Sequence, residues 1–154
     1  MFRNVRVLAV CDIDGGKAKA AAEKFGVETV CSIEELLGNK DIEIVINLTT
    51  PAGHFDICKN ILLAGKNAYV EKPLSLSLEQ GKELVALAEE KGVLIGCAPD
   101  TFLGAGIQTA IQVINDGIIG EVVGATAFMM CHGHESWHPA PAFYYQKGGG
   151  PMFD

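Results

Sequence analysis

The chain has 154 residues, 49% of them hydrophobic, and a formal net charge of -7 at pH 7. That apolar fraction can fill a core, which argues against a disordered chain. The acidic balance, with no basic patch to offset it, argues against nucleic acid and anionic membranes as partners. Residues 5–11 form an almost continuous apolar run, the pattern of a strand buried on both faces. After Asp12 a helix is expected over 17–25, with Asp14 as its N-cap and Gly26 as its stop. A short strand at 27–30 leads to Ser32, which forms a capping box with Glu35. Residues 44–48 read as another buried strand, ending at Thr49-Thr50-Pro51, and a helix over 55–64 is closed by Gly65. Residues 67–70 are the next strand, cut off by Glu71-Lys72-Pro73. Ser77 with Gln80 forms a second capping box ahead of a helix that Gly92 ends, and 93–97 is a strand. Strands and helices thus alternate from 5 to 97, the signature of a parallel sheet covered by helices.

At Pro99-Asp100 the pattern changes. Apolar residues at 107, 110, 111 and 114 mark one helix face, stopped by Asn115-Asp116-Gly117, and 121–131 reads as a strand longer than any before it. An aromatic, histidine-rich loop follows from 132 to 145, then Gly148-Gly149-Gly150 and the final Asp154. This places a boundary near residue 98, with one domain over 1–98 and the start of another over 99–154. No apolar run is long enough to span a bilayer, and Met1-Phe2-Arg3-Asn4 is not a signal peptide. The five cysteines, at 11, 31, 58, 97 and 131, are odd in number and lack C-x-x-C spacing, which fits free core thiols in a reducing cytoplasm. Met129-Met130 reads as core packing.

A dinucleotide-binding fold needs a first strand, a G-x-G-x-x-G turn and a helix whose N-terminus receives the pyrophosphate. An acid about 20 residues after the glycines, at the end of the second strand, binds the ribose. Asp12 stands where that acid belongs, whereas Gly15-Gly16 follows the acid and serves as a helix entry. In the strand order 3-2-1-4-5-6 the strand not found here is the central one. The sequence is therefore expected to give an incomplete Rossmann-type parallel sheet, with a gap of one strand between 5–11 and 44–48, followed by the start of an α/β domain with an open sheet. It reads as a truncated piece.

Asp12, Thr49-Thr50-Pro51-x-x-His54, Glu71-Lys72-Pro73 and Gly148-Gly149-Gly150 with Asp154 occur in this order, and together they resemble the Gfo/Idh/MocA oxidoreductases over essentially the whole chain. The spacing of the threonine–proline–histidine segment is one residue shorter than the family's. The resemblance implies a Rossmann domain followed by an α/β domain with a large, mainly antiparallel sheet. It also implies hydride transfer between NAD(P) and a carbon of a sugar, polyol or related small molecule, in a parent protein that is a homo-oligomer.

Asp12 would accept hydrogen bonds from the ribose hydroxyls, and its charge would repel a 2′-phosphate, favouring NAD over NADP. Thr49, Pro51 and His54 would lie on a loop passing the cofactor, although His54 could instead cap the following helix. Glu71, Lys72 and Pro73 would form a turn against the cofactor, with the Lys72-Pro73 bond cis. Lys72 would hold the substrate hydroxyl and move its proton, Glu71 would orient it, and Asp154 would face the substrate. A plain surface ion pair is the alternative for Glu71 and Lys72. His132-Gly133-His134-Glu135-x-x-His138 resembles a metal-ligand cluster. The other reading is a cleft loop lined by Trp137, Tyr144 and Tyr145 for a sugar-like ligand, and no metal is expected. Two rival functions stay open: a non-catalytic nucleotide- or partner-binding module, and NAD-dependent glycoside cleavage. The 154-residue chain by itself is expected neither to bind NAD tightly nor to turn over.

Overall fold

The structure is a computed structural model that describes residues 4–99, 101–128, 130, 132–138, 141–146 and 150. Strands and helices alternate as β1 (Ala9–Val10), α1 (Gly15–Phe25), β2 (Thr29–Val30), α2 (Ile33–Gly38), β3 (Ile44–Asn47), α3 (Pro51–Leu63), β4 (Asn67–Val70), α4 (Leu78–Lys91) and β5 (Ile95–Cys97). A 3-10 turn (Thr101–Leu103), α5 (Ala105–Asn115) and a second 3-10 turn (Pro141–Tyr145) follow.

Local chemistry sets most helix ends. The Asp14 carboxylate accepts from the Gly16 and Lys17 amides at 2.9 and 3.3 Å, which satisfies two donors that α1 cannot pair internally. Gly26 and Gly92 close α1 and α4 at φ 68° and 67°, in the left-handed region that glycine enters without a Cβ penalty. Ser32 and Glu35 form the reciprocal capping box of α2. The second box departs from expectation: Ser77 accepts from the Gln80 amide, but the Gln80 side chain turns to the Leu76 amide, one residue before the cap. Helix α3 starts at Pro51, well before residue 55, because proline at the first helical position already has the required φ and lacks a donor there.

All strand pairs are parallel. β1 pairs β2, while β3, β4 and β5 form a separate three-stranded sheet. Among the described residues no ladder joins β1 to β3, and the expected one-strand gap falls there. The core lies on one face of the larger sheet. Val45, Ala68 and Val70 meet Cys58, Ile61 and Leu62 of α3 and Leu84 and Ala88 of α4, with Leu36 of α2 at the edge. Burying an aliphatic side chain of this size contributes about 1.5–3 kcal/mol.

Coverage on one face only corrects the expectation of strands buried on both. β3 alternates, with Val45 and Asn47 inside and Ile44 and Ile46 48% and 54% exposed. β1 is confined to two residues, and Val5 and Val7, assigned to a buried strand, are exposed. On the open face the Tyr69 ring lies over Gly96, where an added Cβ would sit 3.0 Å from Tyr69 Cδ2.

Residues 121–128 form no strand. Val122 and Val123 are exposed there, and a strand needs a neighbour to take up its backbone donors and acceptors. Met130 is likewise exposed rather than in the core, and Met129 lies outside the described residues. α5 forms as its apolar spacing predicts, yet none of its residues is buried. No helix is long and apolar enough to cross a membrane among the described residues.

One buried cation ties helix to sheet. The Lys66 ammonium donates to the carbonyls of Asn39 and Ile42 at 2.5 and 2.8 Å, joining the end of α2 to the start of β4.

Candidate functional site

Parallel strands bring the ends of β3 and β4 to one edge, and the loops leaving that edge carry most of the singled-out residues. In-register pairing of Asn47 with Val70 continues as Glu71 N–H donates to Asn47 O at 3.0 Å. On the other side Ala98 N–H donates to Val70 O at 3.0 Å. The Lys72–Pro73 peptide is cis, as the resemblance implies. The Glu71 carboxylate accepts from the Lys72 backbone N–H at 3.1 Å, so it braces the turn that presents the half-buried lysine.

Beside this turn runs the loop after β3, organised by Asn47, which the apolar pattern places inside a strand. Asn47 is buried, and its Oδ1 accepts from Thr49 Oγ1 and Thr49 N at 2.7 and 3.1 Å. Its Nδ2 donates to His54 O at 3.3 Å and to Cys58 Sγ at 3.4 Å. The available signal was a lone polar side chain at the inward-facing end of an apolar run.

His54 joins the two loops. It lies in the first turn of α3 with no exposed surface. Nδ1 is 2.6 Å from Pro73 O and Nε2 is 2.9 Å from Thr49 O. A neutral imidazole has a single N–H and donates to one of these carbonyls; only the imidazolium donates to both. With both ring nitrogens engaged on backbone, His54 holds the loop of Thr49 and Pro51 against the turn of Lys72 and Pro73. Beneath them, burial pushes the Cys58 thiol above its ordinary 9.0, against the Asn47 hydrogen bond and with the help of nearby Cys97. Burial also raises Cys97, whose Sγ contacts Glu71 O at 3.8 Å.

The structure thus brings together Thr49, Pro51, His54, Glu71, Lys72 and Pro73. Asp12 is exposed at the carboxyl end of β1, in the other sheet. One of its oxygens accepts from Asp14 N at 2.8 Å. Asp14 caps α1, so the two acids have separate tasks. Asp154 and the glycines at 148 and 149 lie outside the described residues.

In the histidine-rich segment His134 is buried and stacks on Tyr144, with ring centroids 3.7 Å apart and planes at 18°. Trp137 tilts against His134 at 5.1 Å, and His138 meets Tyr144 edge-on at 5.6 Å. The Tyr145 hydroxyl donates to the Glu135 carboxylate. Among the described residues no group of three or more His, Cys, Asp or Glu is disposed to hold a metal ion. A shallow depression lined by Lys19, Glu23 and Glu28, among others, lies at the amino end of β2, away from these loops.

An exposed carboxylate stands at the end of β1, and a lysine turn stands at the end of β4, both where a Rossmann sheet receives its ligand. The chain holds no G-x-G-x-x-G turn for the pyrophosphate between them.

Comparison with known proteins agrees with this geometry. Over 123 residues the chain is 31% identical to 1,5-anhydro-D-fructose reductase of Ensifer adhaerens, covering 79% of this chain and 37% of the relative. It is 29% identical to 2,7-anhydro-N-acetylneuraminate hydratase of Mediterraneibacter gnavus, covering 96% of this chain and 39% of that protein. The crystal structure of GenD2 from gentamicin A biosynthesis, in complex with NAD, superposes with a TM-score of 0.69 at 28% identity, over 75% of this chain and 33% of that one. The chain therefore spans under two-fifths of the length of each. Residues 1–98 match the family described as "Oxidoreductase family, NAD-binding Rossmann fold". With the parallel strand order, the lysine turn at the sheet edge and this match in agreement, the chain belongs to the Gfo/Idh/MocA family of NAD-binding oxidoreductases.

Proposed function

We propose that this chain is part of an NAD-dependent oxidoreductase that acts on a hydroxyl or carbonyl carbon of a sugar, polyol or related compound. The observation that carries the reading is the His54 bridge, which fixes the cis Lys72–Pro73 turn against the Thr49 loop at the carboxyl ends of β3 and β4. The name of the Ensifer adhaerens relative, a reductase of an anhydro sugar, supports the substrate class. NAD, when bound, supplies the hydride acceptor or donor.

The chain's own residues do the rest. Asp12 accepts hydrogen bonds from the ribose hydroxyls and disfavours a 2′-phosphate by charge. Thr49 and Pro51 form one wall of the cofactor site, which His54 positions from behind, and Glu71 and Pro73 fix the opposite wall. The Lys72 ammonium holds the substrate hydroxyl and exchanges a proton with it, and Asp154 stands beside the substrate.

The test uses the complete protein. NAD is offered with a panel of sugars and polyols, and reduced cofactor is followed by absorbance. Lys72→Ala is expected to lower hydride transfer by about 10²–10⁴-fold, the range for a lost acid–base group, with NAD affinity retained. An unchanged rate would remove Lys72 from its assigned role. A second reading, redox-neutral overall, draws on the Mediterraneibacter gnavus relative, named a hydratase. Product formation without net accumulation of reduced cofactor would favour it.

A further inference from the structure

Cys11 and Cys31 take no part in the site above, yet the fold sets them opposite each other. β1 and β2 are parallel in the register Ala9↔Thr29 and Val10↔Val30. The ladder continues one step, with Cys31 N–H donating to Val10 O at 3.2 Å, and that step brings Cys11 across from Cys31. Side chains alternate along a strand, so Cys11 shares the face of Ala9 and Cys31 that of Thr29, the same face of the pair. Both residues pack against the core cluster, which agrees with their sharing the covered face. Neighbouring strands lie about 4.7–4.9 Å apart, inside the roughly 4.4–6.8 Å between Cα atoms that a disulfide spans. Both cysteines are free and half-buried, so a small reagent can reach them.

The surroundings select the reagent. Burial, then the neighbouring Cys31, Asp12 and Glu34, hold the Cys11 thiol above its ordinary 9.0; burial and then Glu35 do the same for Cys31. These carboxylates repel an anionic oxidant such as glutathione disulfide more than a small neutral peroxide. Because both thiols are held above 9.0, the thiolate that attacks is scarce near neutral pH and the reaction quickens as pH rises.

We propose that Cys11 and Cys31 form a dithiol modification site, closed to an intramolecular disulfide by hydrogen peroxide or a similarly small neutral peroxide. One thiolate attacks a peroxide oxygen and breaks the O–O bond, giving a sulfenic acid and hydroxide. The second thiolate attacks the sulfenic sulfur, forms the S–S bond and expels hydroxide. With the two thiol protons, the products are one disulfide and two waters; sulfur is oxidised and peroxide reduced. Because Cys11 immediately precedes Asp12, closure fixes the backbone that presents that carboxylate.

The test treats the reduced full chain with hydrogen peroxide at pH 9.0, where thiolate is available, blocks residual thiols with N-ethylmaleimide after neutralisation, and maps tryptic peptides without reductant. Lysines 17, 19 and 24 lie between the cysteines, so a cross-link appears as two joined peptides short of two hydrogens. The expected result is a Cys11–Cys31 link within one chain in most molecules, reversed by dithiothreitol. In Cys31→Ser the same treatment should leave Cys11 as a sulfenic acid that dimedone traps. Links only between chains, a different cysteine pair, or sulfinic and sulfonic acids on single cysteines in the wild-type chain would each overturn the proposal.

Discussion

His54 is a peg between two loops, and its replacement should show how far the site depends on it. His54→Ala removes both ring contacts and leaves a hole under α3, a side chain with no exposed surface in the native chain. A loss on the order of 3 kcal/mol is expected from the missing hydrogen bonds and the cavity, read as a lower urea midpoint. His54→Gln should recover part of it. The histidine was recognisable from the Thr-x-Pro-x-x-His spacing, but its role was not, because its partner Pro73 lies 19 positions away.

Cys58 gives a prediction in pH. Its folded thiol titrates above 9.0 because of burial, so between that value and the folded one the native state keeps a proton that the unfolded chain has lost. Stability is then fully present below pH 9.0 and falls as pH rises through the folded value. Urea midpoints measured from about pH 8 to about pH 10, roughly one unit either side of the ordinary thiol value of 9.0, should decline less steeply in Cys58→Ala than in the parent chain.

Elements are held at their ends by contacts of two kinds, local and distant. Asp14, Ser32, Ser77, Gly26 and Gly92 act within a few residues, and each was visible as a cap in the sequence. The Lys66 clamp was not visible, because Asn39 and Ile42 meet it only once β4 lies beside the loop leading into β3. Lys66→Met keeps much of the stem but removes the charged donors from both carbonyls. The expected cost is about 2–3 kcal/mol, seen in urea denaturation and in faster amide exchange at the end of α2. The same contrast explains residues 121–128. The adjacent valines 122 and 123 suit a strand, but pairing is supplied by another segment, and none of the described elements offers it.

At the level of the molecule, the order of strands and helices from residue 5 to 97 followed from periodicity, whereas the depth of burial did not. An apolar run such as 44–48 looks the same whether one face or both are covered; here α3 and α4 cover one. Cofactor binding is likewise a property of the whole sheet, and the glycine-rich turn that cradles a pyrophosphate is not in this sequence. Calorimetric titration of the 154-residue chain with NAD is therefore expected to show no micromolar binding, and such binding would show that the lysine and aspartate loops suffice.

The open sheet face, with Ile44 and Ile46, and the uncovered stripe of Ile107, Ile111 and Ile114 on α5 have one practical consequence. Solvatochromic dyes such as anilinonaphthalene sulfonate report exposed apolar surface and are commonly taken as markers of lost tertiary packing. On this chain the folded state itself presents such surface, so bright dye fluorescence is no sign of a molten state, and near-ultraviolet dichroism is the readout that separates native from partly unfolded molecules.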